Sequence, residues 1–220
     1  MMRTLREKQE HPSVEPYPRR SLRKKKTREK IIKATNKLVA LIGASEITMN
    51  AVAEAADVHV TTLFTHFSTK TELFSALSEP SIARLERMVA ESMGQVPFFE
   101  FAKEHAASLA ILARRKRQPG INYDRELGND LELMPAWLKY EQRQIDLYKK
   151  YIAREYGLDE RVDKRPLMIA AMIVSTNIQT YGQSQCGRSG INFEQEARET
   201  IETVERLVGP GLLEPFPTPA

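Results

Sequence analysis

The stretch at residues 47–73, ITMNAVAEAADVHVTTLFTHFSTKTEL, constrains the fold more than any other part of this chain. Its spacing predicts two short helices, about 48–55 and 59–66, on either side of a tight turn. Two short helices joined so closely must cross, and a small residue has to stand at the crossing; Ala53 fits. The turn needs a residue that tolerates a left-handed backbone. Asp57 stands there, where glycine would adopt that conformation more easily. Val52, Ala56, Val58, Leu63 and Phe67 are spaced to point back at a third helix. The second helix opens with His59, Val60, Thr61 and Thr62, which are short and polar or methyl-bearing, as an approach to base edges requires.

The rest of the chain is helical in pattern as well. Residues 27–42 put Ile31, Ala34, Thr35, Leu38, Val39 and Ile42 on one stripe, with Thr27 as the expected N-cap and Gly43 as the stop. Thr69-Lys70-Thr71-Glu72 reads as a capping box that starts a fourth helix, which Pro80 is expected to kink or restart and Gly94 and Pro97 to end. Longer helices are predicted at about 97–117, 135–156, 163–186 and 192–208, with a less regular stretch at 118–134. No segment alternates as a strand would. Residues 1–22 and 209–220, rich in proline or glycine, read as flexible tails. The chain is therefore expected to be all-α, with a small basic unit at 23–75 and a larger helical body at 76–208.

Charge sharpens this division. Residues 1–75 carry 14 Lys and Arg against 8 Asp and Glu, whereas residues 76–220 carry 19 against 21. Residues 19–33 alone hold nine bases and one acid, so the front end is suited to a polyanion, although a solvated lysine-rich helix start has the same composition. No apolar run approaches the roughly 18–20 residues of a membrane span, and the first residues have no signal-like apolar core. A single cysteine, Cys186, excludes an internal disulfide and a multi-cysteine metal site. There is no H-E-x-x-H, phosphate loop, G-x-S-x-G or paired Glu-x-x-His motif, and of four histidines only His105 falls in the body. The expectation is a cytoplasmic protein that is not an enzyme and needs no cofactor or metal.

The basic helix at 24–43, the segment 48–56 and VHVTTLFTHFSTKTELF at 58–74 together resemble the TetR family of bacterial transcriptional regulators. The resemblance covers about the first third of the ordered chain. It implies a three-helix helix-turn-helix DNA-binding domain followed by a helical domain for ligand binding and dimerisation. It also implies a homodimer on double-stranded operator DNA, with a small-molecule effector that relieves repression. Two residues depart from the family pattern. Phe64 stands where tyrosine is frequent, which removes a hydroxyl from the phosphate side, and Asp57 replaces the usual turn glycine with a negative charge.

The candidate DNA contacts follow from these positions. Lys24, Lys25, Lys26 and Arg28 are placed to follow the backbone or enter the minor groove. Thr48 is expected to cap its helix, which is compatible with a phosphate contact; Asn50 suits adenine or plain solvation equally. Val60, read as exposed, and Thr61 would touch thymine methyls; Thr62 and Thr65 suit phosphates; His59 caps its helix or meets a base. His66 matches a backbone-contacting or packing position in the family. Lys70 sits where a helix N-terminus disfavours a cation, so a phosphate partner would explain its place.

In the body, 167–181 and 192–208 are wide enough in apolar content for a four-helix dimer interface or for packing within one subunit. Phe98, Phe101, His105, Leu109, Met134, Trp137, Tyr140, Met168, Met172 and Asn177 are the candidate walls of a pocket for an apolar or aromatic effector. His105, Tyr140 or Asn177 would supply its polar contact. The basic run at 114–117 reads as a helix C-terminus. The alternative to a ligand-responsive repressor is a helical adaptor or small-molecule-binding protein with weak or no specific DNA binding.

Overall fold

The computed structural model describes residues 18–115, 130–185 and 191–213. Among them are eight helices and no strand: α1 (Pro18–Ile42), α2 (Met49–Ala55), α3 (Val60–His66), α4 (Lys70–Ser92), α5 (Phe98–Arg115), α6 (Met134–Glu155), α7 (Arg165–Gln185) and α8 (Phe193–Leu212). The expected tails at 1–17 and 214–220, and most of the stretch at 118–134, lie outside the described residues.

Two boundaries differ from the sequence expectation. Helix α1 begins at Pro18 rather than at Thr27, so residues 18–22 belong to a helix and Thr27 is inside it, half-buried. Proline suits the first helical position, and the arginines and lysines that follow are good helix formers, so no cap is needed at Thr27. At the other end the chain stays helical through Leu212 apart from a break at Gly209 (φ 58°, ψ 169°), and Leu213 is buried at 2% exposure. Residues 209–213 are thus tied to the body. Proline and glycine bend the chain there without releasing it.

The N-terminal head packs α1–α3 and the start of α4 around Ile31, Thr35, Val39, Ile47, Val52, Leu63, Phe67, Leu73 and Phe74. Gly43 ends α1 with φ 86°, its N–H donating to the Val39 carbonyl at 3.1 Å. Buried Thr35 returns its hydroxyl to the Ile31 carbonyl at 2.9 Å, so burying it leaves no orphan donor. Leu133 and Ala136, at the entry to α6, belong to this same head core.

Helix α4 links the two units. Its first turns contribute Leu73, Phe74, Ala76 and Leu77 to the head, and Leu85 and Val89 reach the core of the body. Pro80 is exposed, and the helix runs through it without ending or restarting. Arg143 on α6 braces α4, with two bonds of 2.8 Å to Glu79 and one of 3.0 Å to Glu86.

In the body, α6 packs against α4 and α7, and α8 closes over α5 and α7. Helices α5 and α6 meet mainly through large rings. Phe98 lies 5.2 Å from Tyr148 and 5.7 Å from Tyr151, and Phe101 lies 4.8 Å from Tyr151. Edge and tilted contacts of this kind add about 0.5–1.5 kcal/mol each to area burial. Glu155 at the end of α6 accepts the Phe98 N–H at 2.7 Å, and Tyr151 donates to the Val96 carbonyl at 2.8 Å, fixing the start of α5.

Candidate nucleic-acid interface and body cluster

The turn between α2 and α3 forms as the sequence requires. Ala53 is buried at the crossing, and its carbonyl accepts the Val58 N–H at 3.0 Å. Asp57 takes φ 46°. Its charge is met by Lys30, whose Nζ lies 3.0 Å from the carboxylate and 3.1 Å from the Asp57 carbonyl. The ammonium bonds to the carbonyl as well as to the carboxylate, so it helps to hold the left-handed turn. Lys30 sits within the basic run, but charge counting alone gave no sign of this partner.

Caps position the two short helices. Thr48 accepts the Ala51 N–H at 3.2 Å and opens α2, leaving Asn50 exposed on the first turn. The His59 ring caps α3: its Nδ1 lies 2.8 Å from the Thr61 hydroxyl and accepts the Thr61 N–H at 3.4 Å. Thr65 donates its hydroxyl to the Thr61 carbonyl at 2.8 Å. With Leu63 turned into the core, α3 presents Thr61, Thr62, Phe64 and Thr65 outward, Phe64 at 47% exposure. Val60 differs from the expectation. It is half-buried and packs its apolar side chain against the head core, which removes that surface from water.

The basic end of α1 lies beside the end of α3. The Arg28 guanidinium stands 4.5 Å over the Phe67 ring. Burial pushes the His66 imidazole below its usual range, and the positive charges of Lys24 and Arg28 add to the effect. His66 Nδ1 is itself buried without a hydrogen-bond partner among the described residues. Lys24, Lys25 and Lys26 remain exposed. The structure thus brings the lysine–arginine run and α3 together on the head, a juxtaposition the sequence could suggest only through the resemblance.

Lys70 is placed differently from the expectation of a phosphate contact. It is buried at 8% exposure and donates to the Ser45 carbonyl at 3.2 Å. Asp130 and Glu132 stand 3.9 and 3.8 Å from its Nζ. The unfavourable helix N-terminus is offset by carboxylates from the body. The capping box is also rearranged: Thr69 accepts the Glu72 N–H at 3.0 Å, but Glu72 reaches back to the N–H and hydroxyl of Ser68, at 2.7 and 2.8 Å. A cleft of about 550 Å³ opens between Thr48, Met49, Phe64, Thr69, Lys70 and Glu132.

In the body, the candidate pocket residues separate into three groups. Phe101, His105 and Asn177 are buried, Leu109 packs against the same core, and Phe98 is fully buried beside them. Trp137 packs against the head core instead, and Met134 and Tyr140 are half-buried along the same part of α6. Met168 and Met172 are 62% and 43% exposed, whereas Ile169, Ala170, Ile173 and Val174 on the same helix are buried in the body core.

The polar centre of the body is the pair His105 Nδ1 and Tyr148 hydroxyl, 2.8 Å apart. Burial and then the charge of Arg84 push His105 down to about 4, so the ring is neutral at pH 7, and burial raises Tyr148 far above its ordinary range. Gln144 Nε2, Asn177 Oδ1 and Arg84 Nε are buried without hydrogen-bond partners among the described residues. Tyr148, Gln144 and Arg84 were missed in the sequence. The signal was Gln144 standing one helical turn before Tyr148 on an otherwise apolar stripe. Among the described residues no three His, Cys, Asp or Glu could hold a metal ion, and no helix is long and apolar enough to cross a membrane.

Known proteins resemble the chain most specifically in the head. Residues 31–77 match the sequence pattern of bacterial regulatory proteins of the tetR family. A probable acrEF/envCD operon repressor of Escherichia coli K12 is 29% identical over 99 residues, covering 44% of this chain and 45% of that protein. The chain therefore matches about half the length of that relative. The transcriptional regulator TcmR of Streptomyces glaucescens is 29% identical over 166 residues, 67% of this chain and 68% of that protein. In three dimensions the fold is similar to Thermus thermophilus FadR, a repressor solved with lauroyl-CoA, at a TM-score of 0.62 and 20% identity over 88% of this chain and 99% of its counterpart. The matched pattern coincides with the head whose turn, caps and outward-facing α3 are described above, so it is residues 31–77 that carry the pattern of bacterial regulatory proteins of the tetR family.

Proposed function

We propose that this protein is a ligand-responsive repressor that binds a palindromic operator as a homodimer, with α3 in the major groove. The observation that carries the reading is the outward row of Thr61, Thr62, Phe64 and Thr65 on a capped helix, flanked by Lys24 and Arg28. Threonine methyls and hydroxyls suit base edges and phosphates, and the exposed lysines supply the sequence-independent grip. Thr48 and Asn50 at the start of α2 are set to meet the adjoining strand. The relatives named as a repressor and a transcriptional regulator support this role.

A dimer brings two such helices to major grooves roughly 34–36 Å apart. The exposed apolar residues Leu167, Met168 and Met172 on α7 and Leu207 on α8 supply a face for the second copy. The effector is an apolar or aromatic molecule with at least one polar group, held in the body near His105. The rings of Phe98, Phe101 and Tyr148 give apolar walls, and the unsatisfied Gln144, Asn177 and Arg84 atoms give polar partners. The lauroyl-CoA bound by the Thermus thermophilus neighbour is compatible with that chemistry.

The test is fluorescence anisotropy with a duplex from upstream of the gene, titrated across salt. Log affinity is expected to fall linearly with log salt, by about 0.9 for each phosphate contact. A salt-insensitive complex, or no complex at low salt, refutes the reading.

A further inference from the structure

We propose that Asp130 and Glu132 form a latch that occupies Lys70 in place of DNA phosphate, so that the body sets the affinity of the head for DNA. This rests on the DNA-binding reading above and extends it to a regulatory contact.

The argument starts from the position of Lys70. It lines the same cleft as Thr48 and Phe64, two residues of the proposed DNA face, and it follows Thr69, the N-cap of α4. A cation here faces the positive end of a helix and gains from an anion. In this structure two carboxylates stand within 4 Å of its Nζ, and the Ser45 carbonyl accepts from it at 3.2 Å. Neither acid belongs to the head. Both precede α6, and the segment that carries them is fastened to the head in two ways: Thr71 donates its hydroxyl to the Glu132 carbonyl at 2.8 Å, and Leu133 and Ala136 are buried in the head core. Within the segment Asp130 accepts the Glu132 N–H at 2.8 Å.

Two acids against one lysine leave a net negative charge in the cleft. While they stay, a phosphate approaching Lys70 meets repulsion and a cation already engaged. A shift of α6 that withdraws them would expose a free ammonium to DNA. Helix α6 also carries Gln144 and Tyr148, so a molecule bound near His105 acts on the element that carries the latch. An effector that favours the latched position of α6 would then lower the affinity for DNA through this helix as well as through α4.

The test uses the full chain and compares wild type with Asp130→Asn plus Glu132→Gln, with Lys70→Met, and with all three changes combined. Asparagine keeps an oxygen for the Glu132 N–H, so only charge is removed. The probes are the duplex from upstream of the gene and a scrambled duplex of equal composition, each titrated over salt by anisotropy. The latch predicts that the two neutralising changes raise affinity for both duplexes by about tenfold, the worth of a charge-assisted contact. They also steepen the salt slope by about 0.9 per head. Lys70→Met alone should change little, and in its background the neutralising changes should lose most of their gain. Equal gains with and without Lys70 would reduce the effect to plain repulsion and overturn the latch. Unchanged affinity and slope in the neutralised protein, with wild type binding normally, would also overturn it and leave the DNA-binding reading intact. Wild type that fails to bind either duplex overturns both.

Discussion

Acidification gives a sharp test of the body. His105 is 4% exposed and hydrogen-bonded to Tyr148, and its pKa is lowered from 6.5 to about 4, first by burial and then by Arg84. The folded state thus holds the neutral ring, and unfolding lets the ring take a proton. A base with a lowered folded pKa gives its full stabilisation above pH 6.5, and that contribution declines as pH falls towards 4. The shift corresponds to about 3 kcal/mol between those limits. His105→Leu removes the titration and breaks the bond to Tyr148, leaving a buried hydroxyl without its partner at a cost of about 1–3 kcal/mol. The variant is therefore less stable than wild type at pH 7, by about 2 kcal/mol, and wild type then loses ground on acidification. The two curves should cross near about pH 5, with the variant the more stable at pH 4. Urea unfolding at a fixed protein concentration, repeated from pH 7 to 4, measures this directly. Curves that run parallel through that window would show that His105 does not hold a neutral ring in the folded body.

Other changes test the head. Phe64→Tyr adds a hydroxyl to a half-exposed ring on the outer face of α3; it should tighten DNA binding by about tenfold if the ring lies over a phosphate, as anisotropy would show. Arg28→Ala removes the cation over Phe67 and a charge that depresses His66. The His66 imidazole pKa should rise towards 6.5 in NMR titration, and the salt slope of DNA binding should flatten by about 0.9 per head. Val60→Ala should lower stability by about 1 kcal/mol in thermal unfolding, because the side chain packs on the head core. Thr48→Ala should cost about 1 kcal/mol by loss of the α2 cap.

The features legible in the sequence were those enforced locally. The left-handed Asp57, the Thr48 and Thr69 caps, the Gly43 stop and the inward Leu63 and Phe67 all follow from backbone geometry within a few residues. The features that escaped depend on distant partners. Lys70 looked free for phosphate because its carboxylates lie about sixty residues further along. The exposure of Met168 and Met172 was not legible because periodicity identifies an apolar stripe but not which neighbour it faces. Pro80 suggested a kink or a restart; α4 does not restart there, held by both cores and by Arg143, which outweigh one missing donor. The α1 start was missed because a highly charged run has no apolar stripe, although its residues are good helix formers.

Leu133 and Ala136 seat a piece of the body inside the head. The head is therefore no detachable module. A protein truncated after α4 would leave that apolar socket open to water, and its reading helix would rest on a loosened floor. Sticky, poorly behaved fragments are the expected product of cutting there, and any engineered fusion that borrows this reader should carry the entry to α6 along with it.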